Sequence, residues 1–223
     1  MSDIQFASRA VGSAATCQDR AGVFMSRNAL ILVVADGAGG VTGGEHAAES
    51  LVRRVETHAA SVAEAIDPIG WVTLLRECDA ELCRDRRGGE TTAVICAIDS
   101  EGRCGGASVG DSRAWFVSAS DVLDLTTNQK RKPLIGSGRA SPAPFFQSRT
   151  PLGTLLLGTD GLFNYVSRAR IAECLEGASL AEAIELLLDA ARAATGALQD
   201  DVGIAISRHA TSSSRFGAHV SKL

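Results

Sequence analysis

Two Asp-Gly pairs sit far apart in the chain, each at the end of an apolar, strand-like run. Asp36-Gly37 closes the run 30–35, and Asp160-Gly161 closes the run 154–159. A third acidic pair, Asp200-Asp201, opens the run 202–206. A strand end is where a rigid sheet can aim a side chain. Three carboxylates brought to one place would repel one another and shift each other's pKa unless a cation joined them. An all-oxygen ligand set suits a hard divalent ion, so the chemistry these residues allow is metal-assisted.

Each motif also has a plainer reading. Asp-Gly is a common hairpin turn, because Gly takes the positive φ that tight turns require. Here, however, residues 37–45 hold more glycine than a two-residue turn needs, and a helical pattern follows instead of a partner strand. A phosphate-cradling nucleotide loop is the other rival. The stretch lacks the lysine of such a loop and does not reproduce the dinucleotide spacing of glycines.

The carboxylates need elements to carry them. Residues 13–25 read as an irregular lead into a strand. Thr42 and Glu45 have capping-box spacing, and Ala47, Leu51, Val52, Val55 and Ala59 then recur at helical intervals. Asp67-Pro68 opens a second helix with the stripe Trp71, Leu74, Leu75, Cys78 and Leu82, expected to pair antiparallel with the first. Residues 91–98, 104–109 and 113–117 read as an antiparallel meander, and 126–151 as a long irregular loop of the kind that binds or covers. A short helix near 168–175, a capping box at Ser179 and Glu182, a helix to about 194, a last strand and a polar tail complete the order. With no internal repeat or linker, the expectation is one domain over residues 1–207, a disordered tail over 208–223, and an α+β layered fold with antiparallel sheets inside.

Composition limits the partners. The 223 residues are 45% hydrophobic and 22% charged, which suits a soluble globular chain. A formal net charge of -4 argues against nucleic acid and anionic membranes as partners. The six cysteines form no Cys-x-x-Cys pair or zinc spacing, so buried reduced thiols and a reducing compartment are expected. No leader pattern or bilayer-length apolar run is evident, which points to the cytoplasm; a monomer is expected. The terminal Ser221-Lys222-Leu223 matches a peroxisomal address and is read as coincidence.

Taken in order, Gln18-Asp19, Asp36-Gly37-x-Gly39-Gly40, Gly43-Gly44-Glu45, Glu90-Thr91-Thr92-Ala93, Gly110-Asp111-Ser112-Arg113-Ala114, Thr159-Asp160-Gly161-Leu162 and Asp200-Asp201 resemble the motifs of the metal-dependent serine/threonine phosphatases of type 2C (PPM). The resemblance spans residues 12–206. It implies a β-sandwich of two antiparallel sheets flanked by helix pairs, with two Mn²⁺ or Mg²⁺ ions at one end. By the same resemblance Asp36 bridges the metals, the Gly37 carbonyl holds one of them, Asp160 and Asp200 hold the other, and Asp19 acts through water. Asp200 ranks ahead of Asp201 as the ligand. Asp111 matches the holder of a third metal in bacterial members, or else is a turn carboxylate paired with Arg113. The implied reaction is direct hydrolysis of phosphoserine or phosphothreonine by a metal-bridging water, on a phosphorylated protein and opposite a cognate Ser/Thr kinase.

The chain departs from the family where substrate is bound. Ala14 stands where an Arg would take the phosphate, Gln18 replaces an acid, and Ala38 replaces a His of some eukaryotic members. Asn128-Gln129 replaces an Asp-His, and the flap that follows is short. Lys130, Arg131, Lys132, Arg139 and Arg149 lie there; each is a solvated loop charge or, like Arg9 and Arg20, a replacement phosphate binder. The histidines His46, His58, His209 and His219 form no cluster. Two alternatives stay open: a phosphatase-like module that binds a phosphoprotein without turnover, and a hydrolase of a small phosphorylated metabolite.

Overall fold

The computed structural model describes residues 4–38, 43–118 and 121–209. Gly39, Gly40 and Thr42 of the glycine loop, and residues 210–223 with their Ser-Lys-Leu end, lie outside the described residues. Two five-stranded antiparallel sheets carry the chain. One runs β1 (Ile4–Val11), β10 (Val202–His209), β9 (Thr154–Gly158), β6 (Arg113–Val117), β7 (Val122–Asp124). The other runs β2 (Asp19–Met25), β3 (Ala29–Asp36), β4 (Ala93–Asp99), β5 (Cys104–Val109), β8 (Ala143–Gln147).

Central strands read as unbroken apolar runs because both of their faces are covered. Along β3, Leu30, Leu32 and Val34 meet Phe116, Leu155 and Leu157 of the opposite sheet, while Ile31, Val33 and Ala35 turn outward onto helices. Those helices are α1 (Gly44–Ala59) and α2 (Pro68–Arg84), which supply Leu51, Val55, Trp71 and Leu75. On the far side, α3 (Asp160–Phe163), α4 (Arg168–Leu175) and α5 (Leu180–Ala191) cover Leu156, Ile204 and Ile206. The result is a β-sandwich between helix layers, as expected. Arg54 on α1 reaches Glu77 on α2 at 3.1 Å, and the earlier His46 reaches the later Asp85 at 2.9 Å, so the two helices run antiparallel.

Several local expectations need correction. The meander breaks after β5: β4 and β5 pair, but β6 crosses to the other sheet and pairs with β9. The region 126–151 is not all loop, since β8 adds to the edge of β5. Strand β1 went unanticipated because its residues alternate weakly and half of them face solvent. The N-cap of α1 is Gly43 in the left-handed region, without a side-chain cap, and Glu45 binds Arg20 at 2.8 Å; the capping box expected of Thr42 lies outside the described residues. The box at Ser179 and Glu182 does form, though α5 ends at Ala191. Arg208, expected to open the tail, lies in β10, where its guanidinium caps the carbonyls of Leu175 and Ala178. Cys78, Cys96, Cys104 and Cys174 are buried thiols, whereas Cys83 is exposed and Cys17 half-buried.

The segment after Gln129 is fastened rather than loose. Gly110 donates its N–H to the Lys130 carbonyl at 2.9 Å, and Ile135 and Thr91 exchange two backbone hydrogen bonds at 2.9 and 3.1 Å. Beyond that, the buried carboxylate of Asp79 on α2 accepts the N–H groups of Gly136, Gly138 and Ala140 at 2.8, 2.9 and 3.0 Å. Three donors converging on one charged acceptor lock residues 136–140 against the helix. Replacing Asp79 by Ala strands these donors and is expected to cost on the order of 3 kcal/mol. Urea unfolding should show a lower midpoint at unchanged slope; an unchanged midpoint would contradict this anchoring role.

Candidate metal centre

Register brings the acids together. Asp19, the first residue of β2, is the direct cross-strand partner of Asp36, the last residue of β3. Across the sandwich, β9 ends at Gly158, opposite both Arg113 of β6 and Ile204 of β10. Asp160 therefore leaves one strand where Asp111 and Asp200 enter two others. All these termini lie at the same end of the two sheets.

Among the described residues, Asp36, Asp111 and Asp160 each offer a carboxylate oxygen within 4.8 Å of the others. Asp19 and Asp200 line the same cleft, about 290 Å³ in volume, together with Gly37. Asp19 is only 2% exposed, and its Oδ2 is buried without a hydrogen-bond partner. A buried carboxylate oxygen left unpaired is costly, and a cation is the group that would satisfy it. Oxygen donors with no thiolate or imidazole among them suit Mg²⁺ or Mn²⁺. The residues thus fit a hard divalent ion.

The Glu90-Thr91-Thr92-Ala93 motif, which carried no assigned role in the sequence, turns out to hold Asp36 in place. Thr92 Oγ1 accepts the Asp36 N–H at 2.9 Å, while Thr92 N–H and Thr91 Oγ1 both donate to the Asp36 carbonyl at 2.9 Å. Thr92 Oγ1 also meets the buried Ser112 hydroxyl at 2.7 Å, which ties Asp36 to the turn bearing Asp111. Asn164, one helical turn after Asp160, donates to its Oδ2 at 3.0 Å. That partner was legible only as an i, i+4 spacing once α3 was known.

Asp201 differs from Asp200 in what it touches. It accepts Ser13 N–H at 2.7 Å, Ser13 Oγ at 3.0 Å and Gln18 N–H at 2.6 Å, so it fastens the loop that delivers Asp19. Backbone approach is tight at both Asp-Gly pairs: a Cβ on Gly37 would strike the Gly44 carbonyl, and one on Gly161 the Asp201 carbonyl. Any larger residue would push these segments apart.

The cations are distributed unevenly. Asp111 pairs with Arg131 at 2.6 Å and not with Arg113, whose guanidinium instead stacks on Phe163 at 5.7 Å. Arg9 is paired with Glu185, and Arg20 is held by Glu45 and by the carbonyls of Cys17 and Asp19. Arg131 and Lys132 line the cleft, whereas Arg139 and Arg149 do not. His46 spends its ring on Asp85, away from the cleft.

Burial and mutual repulsion penalise ionisation of these acids. The Asp36 carboxyl is pushed up to about 9, first by burial and then by Asp19, Asp160 and Asp111. Asp19 is pushed up to about 7 by burial, with Asp201 and Asp160 adding to the rise and the Thr159 hydroxyl opposing it. Asp160 is raised by burial, then by Asp111 and Asp200. Without metal, the folded state therefore holds protons that the unfolded chain, with ordinary carboxylates near pH 4, has released. Stability contributed by these groups is present below about pH 4 and is lost as pH rises toward 9. Thermal melts in chelator should fall in Tm from pH 5 to pH 9, and Mn²⁺ should add more to Tm at pH 8 than at pH 5, because binding must displace protons. A metal-induced gain that shrinks with rising pH would contradict this.

The geometry has counterparts among known proteins. The family profile described as protein phosphatase 2C matches residues 8–189. The serine/threonine phosphatase stp of Listeria welshimeri is 27% identical over 222 residues, covering 80% of this chain and 85% of the relative, and that of Listeria monocytogenes is 28% identical over 197 residues, covering 71% and 77%. Similar folds include serine/threonine phosphatase Stp1 from Staphylococcus aureus, with a TM-score of 0.75, 22% identity and coverage of 92% and 94%. The catalytic domain of serine threonine protein phosphatase PstP, in complex with two manganese ions, has a TM-score of 0.76 at 19% identity and covers 94% and 99%. With most of its length matched by the profile and its fold shared with these enzymes, the chain belongs to the protein phosphatase 2C family.

Proposed function

We propose that this chain removes phosphate from phosphoserine or phosphothreonine in proteins, using a pair of Mn²⁺ or Mg²⁺ ions held at the end of the sandwich. The observation that carries the reading is the convergence of Asp36, Asp111 and Asp160 beside the unpaired Oδ2 of Asp19. When bound, two divalent ions supply a water activated at neutral pH and offset charge on the phosphoryl oxygens. The chain's own part is positional. Asp36 faces both halves of the site, with Gly37 beside it, and Asp160 and Asp200 complete the set from the other sheet. Asp19 is buried but lines the cleft, where its carboxylate would reach a metal through a water. Asp111 takes the outer position, where a third ion would sit.

The remaining parts of the reading follow from this. The catalytic unit is a single domain acting as a monomer in the cytoplasm, and its substrates are supplied by a Ser/Thr kinase. Among the described residues, no helix is long and apolar enough to cross a membrane. The Mn²⁺-bound PstP neighbour supports manganese as the ion to test first. A binding module without turnover would need a damaged ligand set, and the intact carboxylates favour catalysis over that alternative. Among the described residues the cleft is lined chiefly by aspartates and open to solvent, which suits a phosphorylated protein segment better than an enclosed small metabolite.

Purified protein with Mn²⁺ should hydrolyse p-nitrophenyl phosphate and a phosphothreonine peptide. Asp36→Ala and Asp160→Ala should each lower kcat by more than about 10³-fold, since loss of even one transition-state donor costs about 10²–10³. Metal shown bound by calorimetry with no turnover of either substrate would reject the phosphatase reading.

A further inference from the structure

The cleft holds six aspartates, Asp19, Asp36, Asp111, Asp160, Asp200 and Asp201, yet its substrate is a dianion. Bound metals would offset part of that charge, and a guanidinium beside them would grip the remaining phosphoryl oxygens, yet the loop where the family places its arginine holds no basic residue from Gly12 to Gln18. From the geometry we infer that Arg131 is the phosphate-binding residue of this enzyme, an inference that rests on the phosphatase reading above.

Position supports it first. Residues 130–135 cross the mouth of the site as a strap pinned at both ends, at Gly110 just before Asp111 and at Thr91 beside Asp36. Asp79 holds the chain immediately beyond. The backbone under Arg131 is therefore fixed, and its side chain is aimed at the cleft without relying on a mobile lid. Gln129 Nε2 adds a further tie to the Ser112 carbonyl at 2.7 Å.

Chemistry supports it next. Arg131 directs Nε and Nη2 at a single oxygen, Asp111 Oδ2, at 3.1 and 2.6 Å. This is the donor pair that grips a phosphoryl group by two of its oxygens, so the fork is half used where it rests now. The side chain is 80% exposed and has room to swing. Asp111 and Arg131 also line a second cleft of about 250 Å³ next to the first, so the guanidinium stands where the two meet. Other candidates are committed elsewhere: Arg20 and Arg9 to glutamates, Arg113 to Phe163. Lys132 shares the cleft but offers a point charge without the fork.

The test compares wild type, Arg131→Ala, Arg131→Lys and Lys132→Ala, each loaded with Mn²⁺. Inorganic phosphate is titrated calorimetrically, and KM and kcat are measured on a phosphothreonine peptide. Arg131→Ala should weaken phosphate binding and raise KM by about tenfold or more, with Arg131→Lys in between and Lys132→Ala closer to wild type. Mn²⁺ affinity of Arg131→Ala should be equal to or tighter than wild type, because Asp111 loses a competing cation. Phosphate affinity within about twofold of wild type, or an equal loss in Lys132→Ala, would overturn the assignment. Absence of peptide turnover by wild type would reject the phosphatase reading instead, and the phosphate titration would still decide the role of Arg131.

Discussion

Electrostatic repulsion among acids buried at one end of a β-sandwich is the constraint around which this protein is built. Asp19 and Asp36 face each other across a strand pair, and Asp111 and Asp160 close in from the opposite sheet. Among the described residues the side-chain cations lining the cleft, Arg131 and Lys132, are outnumbered by its aspartates, and Arg131 forms its ion pair with Asp111. The fold carries this local cost through its two apolar faces, which fix the strand ends whether or not the acids are content there. Function and instability share the same atoms, as is common where ligands must be held close before a cation arrives.

Rigidity is supplied by backbone partners more than by the acids themselves. Thr91, Thr92 and Ser112 fasten Asp36, Asp201 fastens the loop that bears Asp19, and Asp79 fastens the segment after the strap. Two aspartates, Asp201 and Asp79, thus act on N–H groups while others are left to gather a metal. Asp200 and Asp201 are adjacent in sequence and both line the cleft, but only Asp201 also ties the loop of Ser13 and Gln18 in place. Gly37 and Gly161 allow the close approach on which both halves rely.

Much of this was legible from residue order. Long apolar runs ending in Asp-Gly located β3 and β9, and helical periodicity located α1, α2, α4 and α5, because those elements bury continuous faces. Strand β1 was hidden, since an edge strand with half its side chains in solvent carries little pattern. The crossing from β5 to β6 was hidden too: a short turn joins strands of one sheet or of two with the same residues. Asp111 could be recognised as acidic and near a turn, but its partner 20 residues away could not, because ion pairs between distant loops leave no periodic trace. The same holds for Asp79, whose place beside the apolar stripe of α2 gives no sign of the three N–H groups it anchors.

The central claim is that carboxylates from both sheets share one set of divalent ions, and anomalous diffraction from crystals soaked in Mn²⁺ tests it most directly. The account predicts two strong peaks about 4 Å apart, the spacing of two-metal sites, lying between Asp36 and Asp160. Peaks confined to surface acids, or none within reach of Asp36, would contradict it.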